Sequence, residues 1–163
     1  DPTPDFFYGI NFYFQYKGFD LTMFWQGIQG RDIISDLKKE TDLWSGLNIG
    51  FLNKGRRVLD AWTPNNPDSD IPALTRSDLN NEKRVSTYYV EDGSFLKLRN
   101  IQIGYNVPEQ ALQKIKMRRL RVYVSAQNLP TINSRTFTGV YPENPNYEYP
   151  IPMNLTFGVN IGF

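Results

Sequence analysis

The chain has 163 residues, the length of one ordinary domain, and a formal net charge of +1, so bulk charge favours neither a nucleic-acid nor a membrane-surface partner. It contains no cysteine and no histidine, which excludes thiol nucleophiles, disulfides, imidazole bases and the usual zinc ligands. Aromatic residues make up 15% of the chain, a level that fits either the aromatic girdles of membrane barrels or an aromatic-rich β core.

Neither a transmembrane helix nor a leader is predicted. No run of about 18 apolar residues occurs. The chain opens on Asp-Pro-Thr-Pro-Asp, without the basic and then apolar regions of a signal peptide. We expect either that a leader has been removed or that the chain is a piece of a longer protein, and the strand count below favours the second explanation.

The first predicted elements are two strands joined by a tight turn. Residues 6–16 alternate between a face of large apolar side chains and a mixed face, as β-strands do. The alternation resumes over 19–29. Lys17-Gly18 between them predicts a two-residue hairpin turn, because glycine supplies the positive φ that such turns need.

The first long connection spans about residues 30–92 and lacks strand periodicity. Short helices are predicted from Asp36 to Trp44, with Ser35 as the N-cap, and from Gly55 to Trp62. Residues 63–72 are rich in Pro, Asn and Asp and are predicted to be loop. A connection of about 60 residues is rare in a compact domain and usually marks a functional or binding loop.

Three further strands are predicted, at about 94–107, 119–129 and 153–163. The apolar positions of the first change parity in the middle, which predicts a β-bulge near Arg99-Asn100. Residues 109–119 are predicted to form one or two helical turns, and 130–152 a second long loop. In the last strand the odd positions from Leu155 to Phe163 are apolar, over about the 9–11 residues that a transmembrane strand needs.

The connections alternate between short and long. Up-and-down strands place every second connection at the same end, so both long connections fall at one end and both short ones at the other. Transmembrane barrels have this asymmetry, with short turns on one side of the membrane and long loops on the other. A soluble sandwich does not require it, so the pattern favours a membrane barrel.

Several short motifs occur in order over nearly the whole chain. They are KGFDLT at 17–22, FWQG at 24–27, VLDAWTPNNP at 58–67, DIP at 70–72, EDGSFLKLRNI at 91–101, GY at 104–105, VP at 107–108, LRVYVSAQNL at 120–129 and the terminal Phe163. Together, and in this order, they resemble the SusC/RagA-type TonB-dependent outer-membrane transporters of Bacteroidetes-like bacteria. The chain departs from the family at Pro130-Thr131-Ile132, where a more aromatic segment is common.

This resemblance implies an all-β fold: the last five or so antiparallel strands of a 22-stranded transmembrane barrel in the cell outer membrane. Loops 30–92 and 130–152 would be extracellular and would face a SusD-like lipoprotein. The plug, most of the wall and the TonB-contacting part would lie outside this chain. The implied partners are therefore the remainder of the barrel with its plug, the lipoprotein, the TonB complex and the lipid bilayer, and no nucleic acid.

Exposed aromatic residues of the loops are candidates for contact with substrate or lid, where they would stack on sugar rings. Packing within the loops themselves is the favoured alternative. These candidates are Trp44, Trp62, Tyr141, Tyr147 and Tyr149. Phe163 at the end of the last strand resembles the signal that the outer-membrane assembly machinery recognises. The alternative interpretation is that Phe163 only contributes apolar surface at the rim of the barrel.

Other polar clusters are interpreted as structural. An oxygen-rich stretch in 65–70 has the chemistry of a calcium site but not the spacing of a known calcium loop, so turn formation is favoured. The basic run in 114–119 is interpreted as solvated rather than bound to lipid headgroups. The carboxylates of Glu91, Asp92 and Glu143 have no spacing that indicates a glycosidase. We therefore expect no enzyme activity, cofactor or metal.

Two other functions remain open from the sequence. The chain is expected to be part of an energised importer of glycans or peptides. A secreted all-β carbohydrate-binding module is the first alternative, and a small barrel assembled from this chain alone is the second. A carbohydrate-binding sandwich would bury the apolar strand faces inside its own core, which distinguishes it from a membrane wall.

Overall fold

The computed structural model describes residues 1–43, 54–75, 81, 84–113, 116–144, 149 and 151–163. The strands, in chain order, are β1 (Phe6–Tyr16), β2 (Phe19–Gln29), β3 (Asp32–Ile34), β4 (Val90–Asp92), β5 (Phe95–Asn106), β6 (Arg119–Gln127), β7 (Thr131–Asn133) and β8 (Asn154–Gly162). The helical segments are α1 (Asp36–Thr41), α2 (Glu109–Leu112) and the 3₁₀ turns Arg56–Asp60 and Thr87–Tyr89.

The five long strands form one antiparallel sheet in the order β1-β2-β5-β6-β8. Each long strand pairs with the next long strand along the chain, so the sheet is an up-and-down meander. Both long connections therefore leave the sheet at one end, here called the long-loop end, and both short connections leave it at the short-turn end. The all-β fold expected from the alternation is confirmed.

The predicted bulge is present in β5. Phe24 of β2 pairs with Asn100, whereas the next residue, Trp25, pairs with Leu98. Arg99 is therefore the extra residue, without a paired residue on β2. The bulge keeps Leu96 and Leu98 on the same side of the sheet as Ile101 and Ile103, despite their opposite parity.

One side of the sheet, here called the apolar face, is hydrophobic across all five strands. The paired positions Phe12–Met23, Ile101–Ala126 and Val122–Val159 illustrate its continuity from β1 to β8. No described layer covers it: Leu155, Phe157 and Val159 are 56%, 76% and 58% exposed. A water-soluble sandwich would bury these side chains beneath a second sheet, and the described residues form no such second layer.

The turn between β1 and β2 has the predicted length of two residues. Lys17 and Gly18 both have positive φ, 46° and 86°, the combination of the mirror-image turns that match strand twist. The backbone N–H of Asn106 donates to the carbonyl oxygen of Gly18 at 2.8 Å. This bond fastens the hairpin turn to the end of β5.

The long connections are more ordered than the sequence indicates. Ser35 caps α1 as predicted, its hydroxyl accepting from the backbone N–H of Lys38 at 3.3 Å. The predicted helix at 55–62 is a single 3₁₀ turn instead. Strands β3 and β4 pair with each other, and β7 pairs with β5; each has three residues, too few to show a period in the sequence.

The buried residues concentrate at the long-loop end. Ile33, Leu43, Ala61, Ile71 and Tyr89 are buried there, in the first long connection, rather than on the sheet. The folded parts of residues 30–94 and 128–153 that the structure describes are here called the crown. Among the described residues, no helix has the length and hydrophobicity needed to span a bilayer.

Candidate functional site: the polar face and the crown

Lys97, Arg99 and Glu143 form an ionic cluster on the side of the sheet opposite the apolar face, here called the polar face. The side chain of Lys97 is 0% exposed, and its Nζ lies 2.8 Å from Glu143 Oε2. Arg99 bonds the same carboxylate with two nitrogens, one of them 3.2 Å from Oε2. Its Nε donates to Gln26 Oε1 at 2.7 Å. The cluster pins the second long connection onto β5 and β2.

The bulge in β5 explains why Lys97 and Arg99 can both bind the carboxylate of Glu143. Lys97 points to the polar face by strand alternation, and the extra residue in β5 turns Arg99 to that face as well. Burial alone would raise the pKa of Glu143, but the hydrogen bond and charge of Lys97, followed by those of Arg99, outweigh it and hold this pKa below its usual range. Glu143 is therefore ionised at neutral pH.

Tyr141 covers this cluster from the crown. Its ring centre lies 5.1 Å from Lys97 Nζ, within cation–π range. Its hydroxyl donates to the carbonyl oxygen of Ile151 at 3.1 Å. Both contacts are internal packing, the alternative that was favoured for the loop aromatic residues.

Glu91 joins the two long connections to each other. Its side chain is buried, and Lys38 Nζ of the first connection lies 3.1 Å from its carboxylate. Thr138 of the second connection donates to it with the backbone N–H at 3.0 Å and the hydroxyl at 2.7 Å. The crown is therefore one packed unit rather than two independent loops.

A second buried carboxylate, Asp42, organises the first connection. The hydroxyl of Tyr88 donates to it at 2.6 Å, and Arg57 Nε lies 3.4 Å away. Lys38 Nζ in turn donates to the backbone carbonyl of Tyr88 at 3.0 Å. Burial, followed by the hydrogen bond to Asp42, raises the pKa of Tyr88 well above its usual value, so this phenol stays protonated.

The third acidic residue of interest, Asp92, is held ionised by neighbouring donors. The side chain and the backbone N–H of Ser94 hydrogen-bond to its carboxylate and lower its pKa, and Ser134 adds to the effect. Glu91, Asp92 and Glu143 are therefore each hydrogen-bonded to partners within the chain. In the structure these carboxylates hold the connections of the crown together.

A separate network crosses the polar face nearer the short-turn end. Arg121 of β6 reaches over β5 to Asp20 of β2, with Nε 3.0 Å from Oδ2, and Asn106 donates to the same oxygen at 3.0 Å. A Cβ atom at Gly104 would collide with both members of the ion pair. Glycine is therefore required at this position of β5 for the pair to form.

The structure places the predicted contact residues in different surroundings. Tyr149 and Trp62 are exposed, at 96% and 43%, while Tyr141 is partly buried against Lys97. Trp44 and Tyr147 lie outside the described residues. Phe163 is exposed beyond β8 at the short-turn end.

The oxygen-rich stretch at 65–70 forms local turn contacts. Asn66 Nδ2 donates to both the backbone and the side-chain oxygen of Asp60 at 3.1 Å, and the Ser69 hydroxyl accepts from the backbone N–H of Ile71 at 3.0 Å. Within the described part of the chain, no three acidic, histidine or cysteine side chains are grouped so that they could hold a metal ion.

Two cavities open in the crown beside residues that the sequence did not single out. One of about 310 Å³ is lined by Tyr88, Tyr89 and Arg84, among others. Another of about 680 Å³ is lined by Ile34, Lys39 and other residues. Both volumes fall in the range of small-ligand pockets. Tyr88 and Tyr89 lie in a stretch without strand or helix periodicity, directly before β4. The sequence pattern therefore did not identify them as cavity residues.

Comparison with known proteins gives a consistent relationship over the whole chain. No protein-family model matches. TonB-dependent receptor P3 of Formosa agariphila is 36% identical over 162 residues, 99% of this chain and 15% of that receptor. TonB-dependent receptor P26 of the same organism is 29% identical over 177 aligned residues, 99% of this chain and 17% of that receptor.

A solved structure agrees. A chain of the RagAB peptide importer, in the closed-closed state, superposes with a TM-score of 0.80 and 28% identity over 99% of this chain and 17% of its own length. The chain thus spans about one sixth of the length of each of these proteins. By sequence and by fold, this chain belongs to the TonB-dependent receptors, as a segment of a β-barrel of the SusC/RagA type.

Proposed function

We propose that this chain is part of the barrel wall of a TonB-dependent outer-membrane importer of glycan or peptide nutrients. The observation that carries the proposal is the contrast between the two sides of the sheet. The apolar face is exposed across five strands, whereas the polar face carries two ionic networks and a folded connection. Lipid would cover the first face, and the second would line the lumen.

The open edges of the sheet support a larger assembly. Within the described residues, β1 and β8 each pair with only one long strand, so one edge of each is left without a ladder. Unpaired backbone groups are not tolerated in hydrocarbon, and barrels avoid them by closure. We therefore infer that further strands of the same receptor flank both edges and that its plug occupies the lumen.

The proposed orientation follows from the two kinds of connection. Long loops of such barrels are extracellular and short turns are periplasmic. The crown would then face the outside, where a SusD-like lipoprotein is its proposed partner, with Trp62 and Tyr149 available for lid or substrate contact. The TonB complex would act through a part of the receptor outside this chain. We propose no catalytic step.

The proposal is tested by nutrient uptake in cells that carry the full-length receptor. We expect import of labelled oligopeptides or oligosaccharides to require both the receptor and TonB, and to disappear when either is removed. Because the similar RagAB structure is of a peptide importer, peptides are the first substrates to test. Uptake that persists without TonB, or a receptor recovered outside the outer-membrane fraction, would contradict the proposal.

A further inference from the structure

A cationic corner lies at the short-turn end, between the two short connections. It consists of Lys17, Arg118 and Arg119 around a cavity of about 470 Å³. Leu112 and Pro108 contribute apolar wall to the same cavity, and Glu109 is its acidic member. All three cations are solvent-exposed, and no ion pair to any of them occurs among the described residues.

The charge of Lys17 lies on the apolar side of the sheet. Its Nζ is 5.2 Å from the ring centre of Tyr16, which projects from the apolar face. The two positive-φ residues of the turn and the bond from Asn106 to Gly18 fix the direction from which Lys17 approaches. The ammonium group therefore lies over the rim of the apolar face and not over the polar face.

Arg118 lines the same cavity from the neighbouring connection. Its backbone N–H donates to the carbonyl oxygen of Gly162 at 2.9 Å, the same residue that pairs with Arg119 at the start of β6. Leu120, the second residue of β6, pairs with Ile161 on the apolar face and lines the same cavity. At the short-turn end of the apolar face, the rings of Phe19 and Tyr105 pack with centres 4.6 Å apart.

The excess of positive charge occurs at the short-turn end of the sheet and not at the long-loop end. Residue 17 and the connection 107–119 carry five basic residues and one acidic residue. The long connections, 30–94 and 128–153, carry ten basic and thirteen acidic residues. The basic run was interpreted from the sequence as solvated; the fold places part of it beside Lys17 at one cavity.

We propose that the cationic corner binds the phosphate group of an anionic phospholipid in the periplasmic leaflet. Lys17 and Arg118 contact the phosphate, and the Phe19–Tyr105 pair packs against the glycerol and the first methylenes of the acyl chains. Basic pockets at membrane surfaces bind anionic headgroups in this way. A free phosphate ion has no apolar part that could pack against the aromatic surface beside the cations, whereas a phospholipid has one. We therefore assign the site to lipid. The inference depends on the orientation proposed above.

The test measures lipid binding to the full-length receptor in neutral detergent. Phosphatidylglycerol is titrated and counted by native mass spectrometry, with phosphatidylcholine and inorganic phosphate in parallel. Each basic residue near an anionic headgroup strengthens binding about fivefold, so we expect Lys17→Gln with Arg118→Gln to weaken phosphatidylglycerol binding about 25-fold. Arg56→Gln, which removes an exposed charge from the crown, is the matched control and leaves binding unchanged.

Heat-modifiable migration on gels confirms that each variant is folded, and Lys17→Arg with Arg118→Lys, which preserves both charges, retains binding. Unchanged phosphatidylglycerol binding in the double glutamine variant would overturn the inference. So would inorganic phosphate binding as strongly as the lipid. The orientation is checked separately: a membrane-impermeant maleimide should not label Lys17→Cys in whole cells. Labelling there would refute the orientation, whatever the lipid measurement shows.

Discussion

Lys97 is a fully buried cation whose carboxylate partner, Glu143, lies 46 residues further along the chain. Burying an ammonium group is costly unless a counter-charge accompanies it. The Glu143 carboxylate therefore provides the counter-charge that allows Lys97 to be buried beneath the crown. Lys97 and Arg99 in turn bind Glu143 and so attach the crown to the polar face.

We predict that Glu143→Gln loosens the second long connection. The change leaves Lys97 buried without a counter-charge, which costs about 3 kcal/mol, the low end for a broken buried pair because Glu143 is partly exposed. Hydrogen exchange of the backbone amides in 134–144 should accelerate by about 100-fold. Glu109→Gln removes an exposed carboxylate at the other end and should leave these amides unchanged; equal effects would contradict the role of the cluster.

The same contact predicts a dependence on pH. The pKa of Glu143 is lowered in the folded state, so its stabilising contribution is complete above the unfolded value of 4.5 and is lost as the pH falls through the lowered value. Exchange of 134–144, corrected for intrinsic rates, should therefore increase on acidification below about pH 4.5 in the natural receptor. The Glu143→Gln variant should lack this step, and a step of equal size in both would refute the assignment.

The ionic contacts of the polar face could not be predicted from the sequence. The carboxylate of Glu143 was noticed, but its partners come from a strand more than 40 residues away, and nothing local in the sequence indicates the pairing. Asp20 and Arg121 are 101 residues apart and illustrate the same limit. By contrast, the N-cap of Ser35 depends only on the next three residues, and it was predicted correctly.

At the scale of elements, the bulge in β5 decides which side chains lie on the apolar face. Without the extra residue, one half of the strand would present its polar side chains to the apolar face, because a shift of one residue exchanges the two faces of a strand. The alternation of apolar residues revealed the bulge in the sequence, since Leu98 and Ile101 cannot share a face in a regular strand.

Deletion of Arg99 is predicted to prevent assembly of the wall. The deletion forces either Lys97 onto the apolar face or Ile101 and Ile103 onto the polar face, and both outcomes conflict with their surroundings. Folded receptor in the outer-membrane fraction, detected by heat-modifiable migration, should fall to a small fraction of the natural level. Arg99→Ala keeps the residue count and should assemble; normal assembly of the deletion would contradict the proposed role of the bulge.

Elements of the crown were predicted less well than the long strands, for a physical reason. A strand of nine or more residues repeats its two-residue period several times, whereas β3, β4 and β7 have three residues each and repeat it once. Their pairing is set by tertiary packing around Glu91 and Phe95. The 3₁₀ turn at Arg56–Asp60 likewise replaced a predicted helix too short to be stable alone.

At the scale of the whole molecule, the sheet depends on its surroundings for stability. Its apolar face has no protein layer over it among the described residues, so in the proposed outer-membrane setting hydrocarbon would provide the favourable burial of these side chains. The short and long connections, the alternation and the family resemblance all indicated this arrangement from the sequence.

A charge introduced on the apolar face is therefore predicted to block membrane insertion. Val159→Arg places a guanidinium near mid-membrane at a cost of about 2–4 kcal/mol. Thr156→Arg makes the same chemical change on the polar face of the same strand, opposite Ser125, and should be tolerated. The comparison is the yield of each full-length variant in the outer-membrane fraction. Equal yields would mean that the two faces have been assigned wrongly.

The crown has its own packed interior, and it is joined to the sheet by the Lys97–Arg99–Glu143 cluster and by the pairing of β7 with β5. Mutations that reshape its outer surface therefore need not disturb the strands beneath. A segment built in this way can vary the outward residues of its crown over generations, while its strands are inherited unaltered as long as the contacts that join crown and sheet are retained.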